Sequence, residues 1–80
     1  MITAEAIKTS IESSLPCELV QVEGDDGRHF QALIVSAEFT GKNTVQQHQL
    51  VYKSLGDKMK QEIHALSMKT LTPEQWAQES

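Results

Sequence analysis

Eighty residues, a formal charge of −4 from eleven carboxylates against seven basic side chains, and a single cysteine confine this chain to one small domain, residues 1–80, with no internal disulfide. The acidic balance repels phosphate backbones unless a local basic patch overrides it. No apolar run reaches the ~20 residues that span a bilayer, and Met1 to Glu5 lacks the basic and apolar parts of an export signal, so a soluble protein in the reducing cytoplasm is expected.

In chain order, Ile2, Ile7, Ile11 and Leu15 form a helical stripe over about Thr3 to Leu15. Thr3 is a suitable cap, Glu5 favours the positive end of the helix dipole, Ile2 and Ile7 occupy staple positions, and Pro16 stops the helix. Two strand-like runs follow, Cys17 to Glu23 and His29 to Ser36. Gly24-Asp25-Asp26-Gly27 between them has turn composition, which predicts an antiparallel hairpin with His29 at the mouth of its loop.

A second helix is expected from Thr44 to Leu55, capped by Asn43 or Thr44, with Val45, His48, Tyr52 and Leu55 on its apolar stripe and Gly56 at its end. Asp57 to Gln61 reads as a short turn before a third strand, Glu62 to Thr70. Thr72-Pro73-Glu74-Gln75 is a capping box with proline in the first turn, and Leu71 with Trp76 repeats the staple spacing, so a short final helix follows. The order is α-β-β-α-β-α, an α+β fold with a three-stranded sheet.

The chemical inventory is short. No CxxC or HExxH motif is present, no paired acid and base stand out, and Gly41-Lys42-Asn43-Thr44 lacks the first glycine of a phosphate loop. The pattern alone makes His64 a packed strand histidine, His29 a solvent-exposed loop residue and His48 part of a helix stripe. Cys17 reads as a small packed residue.

Several runs in order nevertheless carry a more specific signal: Phe39-Thr40-Gly41-Lys42, Val45 to Tyr52, Leu55-Gly56-Asp57-Lys58-Met59, Ile63 to Thr70, and Thr72-Pro73-Glu74-Gln75-Trp76. Together they resemble the BolA family over nearly the whole chain. Gly24 to Phe30 resembles its IbaG-like branch, which has a histidine in the hairpin loop. The resemblance implies a fold related to type II KH domains. It also implies a non-enzymatic role as the heterodimeric partner of a monothiol glutaredoxin, holding a 2Fe-2S cluster for iron-sulfur trafficking or iron regulation.

In that arrangement the partner brings a cysteine thiolate and a glutathione thiolate. His64 of the Ile-His-Ala-Leu motif and His29 of the loop match the family's two remaining ligands. No cluster is expected in the isolated chain, which should be a monomer or weak dimer, because it lacks four good ligands of its own. With the motif around it, His64 is better read as a ligand than as packing.

The alternative is a DNA-binding transcriptional regulator built on the KH-like fold, contacting phosphate through Lys42, Lys53, Lys58 and Lys60. Against it stand the missing GXXG loop and a supply of aromatic residues limited to Phe30, Phe39, Tyr52 and Trp76.

Overall fold

The computed structural model describes residues 3–24, 29–62 and 65–79, with segment 57–62 and residue 65 described by backbone alone. The elements are α1 (Ala4–Ser14), β1 (Leu19–Glu23), β2 (His29–Val35), a 3-10 turn (Ala37–Phe39), α2 (Thr44–Glu62), β3 (Ala65–Leu71) and α3 (Pro73–Glu79). The predicted α-β-β-α-β-α order is observed, and no helix among the described residues is long and apolar enough to cross a membrane.

Helix α1 begins where Thr3 Oγ1 accepts a hydrogen bond from the Ala6 N–H at 3.1 Å. Its Ile7 and Ile11 are fully buried, and at Leu15 the backbone turns extended just before Pro16. Ile2, the other half of the expected staple, lies outside the described residues.

Strand β1 starts at Leu19, two residues later than expected, and pairs antiparallel with β2 from Leu19↔Val35 to Glu23↔Gln31. The hairpin is therefore present, although the turn at 25–28 lies outside the described residues. Gly24 is required at its rim: a Cβ there would strike Phe30 Cδ1 and come within 2.8 Å of the His29 carbonyl oxygen. That close approach lets the Phe30 ring fold over the chain into the core.

Strand β2 is central, and its other neighbour β3 runs parallel to it, from His29↔Ala65 to Val35↔Leu71. A parallel pair needs a long crossover, which α2 supplies. Alternation along β2 turns Phe30, Ala32 and Ile34 toward the helices, where they join Val20, Ile7, Ile11, Leu15, Phe39, Val51 and Leu55 in one core. His29 and Gln31 are exposed on the opposite sheet face.

Asn43 rather than Thr44 caps α2: its Oδ1 accepts from Gln46 N–H at 2.8 Å, while its own N–H donates to Gln46 Oε1 at 3.1 Å. The buried stripe differs from the expected one. Gln47, Val51 and Leu55 face the core, whereas Val45 is 65% and Tyr52 36% exposed. Val45 and Tyr52 misled the periodicity because they are apolar on the solvent side, and Gln47 escaped notice because it is polar.

The Gln47 amide earns its buried place by full satisfaction: Nε2 donates to the carbonyls of Phe39 (3.2 Å) and Lys42 (2.8 Å), and Oε1 accepts from Thr70 Oγ1 at 2.6 Å. One side chain thus ties the 36–43 connection and α2 to β3. In the same connection Ser36, fully buried, donates from Oγ to the Pro16 carbonyl at 2.6 Å and accepts from the Glu38 N–H at 3.1 Å. This holds the 3-10 turn that the sequence reading did not anticipate.

Gly56 interrupts α2 with φ 79° and ψ 162°, a region essentially reserved for glycine. Regular helix therefore stops at Leu55 as expected. The helical path then resumes to Glu62, where a short turn and an earlier strand were expected, and β3 begins only at Ala65. Glu62 thus belongs to a helix rather than to the third strand.

The α3 capping box is complete: Thr72 N–H donates to Gln75 Oε1 (2.9 Å) and Gln75 N–H to Thr72 Oγ1 (3.2 Å). Leu71 is buried and Trp76 half-buried at the two staple positions. The Lys69–Glu79 ion pair, 2.7 Å long and solvent-exposed, adds at most about 1 kcal/mol.

Candidate functional site

His29 is the first residue of β2, exposed on the sheet face away from the helices, beside the Gly24–Phe30 approach. Its register partner on β3 is Ala65, the residue that follows His64 in sequence. His64 itself lies outside the described residues. Parallel pairing of β2 with β3 therefore brings the starts of the two strands side by side, with neighbouring strands about 4.8 Å apart. The sequence alone does not specify this pairing.

Among the described residues no group of three or more His, Cys, Asp or Glu side chains is placed to hold a metal ion. Cys17 cannot join His29. It precedes Glu18, whose N–H donates to the Val35 carbonyl at the far end of β2, and the 7-residue strand from His29 to Val35 spans about 20 Å.

The Cys17 thiol is half-buried and donates to the Leu15 carbonyl at 3.2 Å. Burial pushes its pKa up, and the nearby Glu12 carboxylate pushes in the same direction. Because the thiolate is the nucleophile, alkylation of the native chain at neutral pH should be slower than that of the urea-unfolded chain, and should accelerate only above the ordinary thiol range. The protonated thiol is the form the fold favours, so its contribution to stability is present below the unfolded thiol's pKa and is lost as pH rises through the folded one. Equal alkylation rates for folded and unfolded chains would contradict this placement.

The second set of expected site residues lies on α2 and in the loop before it. Lys42 and Lys53 line one shallow depression with Gly41, Gln46, Gln49 and Leu50. Lys58 and Lys60 fall on the stretch after Gly56 that is described by backbone alone, so their side chains lie outside the described residues. His48 is half-buried on α2, between the exposed Val45 and Tyr52 rather than within the core. A further depression, with Leu33, Lys69, Leu71 and Trp76 among its walls, opens on the same sheet face as His29.

Residues 2–75 match the family model described as BolA-like protein. The chain is 39% identical to human BolA-like protein 2, with 98% of this chain and 94% of that protein aligned. A solved structure of a BolA homologue from Coxiella burnetii superimposes with a TM-score of 0.84 at 42% identity, covering 96% of this chain and 99% of that one. The DNA-binding transcriptional regulator BolA of Haemophilus influenzae is 44% identical over a shorter stretch, 60% of this chain and 47% of that protein. Family model, relatives and fold agree over almost the full length, and the chain belongs to the BolA-like family.

Proposed function

We propose that this chain is a non-enzymatic partner of a monothiol glutaredoxin and contributes two imidazoles, His29 and His64, to a 2Fe-2S cluster whose other ligands are a glutaredoxin cysteine and glutathione. The observation that carries this reading is the β2–β3 register, in which His29 stands opposite the residue next to His64 in sequence. Membership of the BolA-like family supports it, and the histidine at the end of the hairpin loop supports the IbaG-like branch.

The donor set fits half a cluster. His29 offers an exposed imidazole at the start of β2, and Cys17 is about 20 Å of strand away, so thiolates must come from elsewhere. When bound, the cluster is cargo to be passed on, or a sensor of iron supply. The chain's own contribution would be imidazole nitrogens, that of His29 carried at the first position of β2. Replacing thiolates by imidazoles makes the site less negative and raises its potential.

Co-expression with a monothiol glutaredoxin in the presence of glutathione should give a heterodimer whose visible absorption and circular dichroism differ from those of the glutaredoxin homodimer. His29→Ala and His64→Ala should each abolish that difference. A parental spectrum retained in His64→Ala would sink the ligand assignment.

The competing reading, a DNA-binding regulator, rests on Lys42 and Lys53 sharing one depression and on the name of the Haemophilus relative. The chain's charge of −4 opposes it.

A further inference from the structure

The charge of the chain is unevenly spread. Eleven carboxylates are distributed along its length, yet residues 39 to 56 contain none. This segment comprises the loop before α2 and the helix as far as its glycine break, and the first turn of α2 likewise lacks the acidic residues that usually offset the positive end of a helix dipole.

On the folded chain the segment presents one continuous face. At about 100° per residue, Val45 and Tyr52 lie on one side of Gln49, with Lys53 and Gln46 on the other. Val45, 65% exposed, and Tyr52, 36% exposed, are the exposed large hydrophobic residues among the described ones. The depression beside them is walled by Lys42, Lys53, two glutamines, Leu50 and Gly41, with no carboxylate.

We propose that this face of α2 docks an acidic segment of a partner protein, one that carries carboxylates next to an apolar side chain. Lys42 and Lys53 pair with the carboxylates, Gln46 and Gln49 supply amide hydrogen bonds, and Val45 with Tyr52 covers the apolar side chain. Charge complementarity selects the partner: a carboxylate-bearing chain meets no like charge here, although it would be repelled by the rest of the molecule.

A nucleic acid fits less well. Two lysines neutralise two phosphates, a salt slope of only about −2, and the exposed Val45 and Tyr52 side chains have no counterpart in a phosphate backbone. The proposal uses none of the residues assigned to iron and stands whether or not His29 and His64 bind a cluster.

The test is a titration of the isotope-labelled full chain, followed by amide chemical shifts, with three probes: a short peptide of glutamate and leucine, the same peptide with lysine for glutamate, and a short duplex DNA. The acidic peptide should shift the amides of Lys42, Gln46, Gln49, Tyr52 and Lys53 saturably, and less strongly as salt rises from about 50 to 300 mM. Lys42→Glu combined with Lys53→Glu should weaken binding by about tenfold or more while amide dispersion shows the fold intact. Should that double variant fail to fold, Lys53→Gln alone must still weaken the acidic peptide. No saturable shift with the acidic peptide, equal affinity for the basic one, or tighter binding of the duplex would each overturn the proposal.

Discussion

Replacing Phe39 by alanine is expected to cost about 3–5 kcal/mol, the range for deleting a large buried aromatic ring. Phe39 is 0% exposed and projects from the 3-10 turn into the core cluster with Ile7, Ile11, Val51 and Leu55, so removing its ring leaves a cavity there. Single domains are stable by only about 5–15 kcal/mol, and one of this size belongs near the lower end. The urea midpoint should therefore fall by about 1.5 M or more at unchanged slope, taking a slope of about 1–2 kcal/mol per M. Phe39→Leu keeps most of the volume and should lose about 1.5 kcal/mol or less. Similar midpoints for the two variants would show that the ring does not fill the core as described.

The second large effect is expected at Gln47. Gln47→Ala removes the donor for the Lys42 carbonyl, the acceptor for the Thr70 hydroxyl and one of two donors for the Phe39 carbonyl, which keeps the Lys42 N–H, at about 1–3 kcal/mol for each group left dry. The Lys42 end lies near solvent, where water can replace the amide, so the net loss should be about 2–4 kcal/mol. Gln47→Leu distinguishes polarity from volume. It fills the space yet leaves the Lys42 carbonyl and the Thr70 hydroxyl without this partner, so it should be nearly as destabilising as alanine. Adding Thr70→Val to Gln47→Leu should recover part of the loss, because it removes one unpaired hydroxyl. If Gln47→Leu were as stable as the parent, the hydrogen bonds would not be what holds Gln47 in the core.

Much of the fold is legible in the residues because the informative signals are local. Thr3, Asn43 and Thr72 each cap a helix through a neighbour three residues on, and Gly24 to His29 mark the hairpin between two alternating strands. What escaped depends on partners distant in sequence. Gln47 is buried because carbonyls of the preceding loop and a β3 hydroxyl, 23 residues away in the case of Thr70, complete its amide. Periodicity assigns Val45 and Tyr52 to the buried stripe, because it records spacing but not which of two apolar stripes meets the sheet.

The site shows the same division. His29 and His64 were picked out by resemblance, since neither belongs to a motif that implies metal on spacing alone. The parallel β2–β3 register that sets His29 opposite Ala65, the residue after His64 in sequence, is a non-local feature. The DNA reading takes its lysines from the Gly41-Lys42 loop and from the Lys53 to Lys60 face, and the fold sets Lys42 and Lys53, one from each, on one depression.

The central claim is that iron meets two imidazoles of this chain inside a complex with a glutaredoxin. Pulsed electron paramagnetic resonance on the reduced heterodimer, prepared with histidine isotopically labelled with nitrogen-15 only in this chain, reads that bond directly. Strong coupling to two labelled imidazole nitrogens, falling to one in His29→Ala, is the predicted result; a reduced cluster with no coupling to labelled nitrogen would contradict the account.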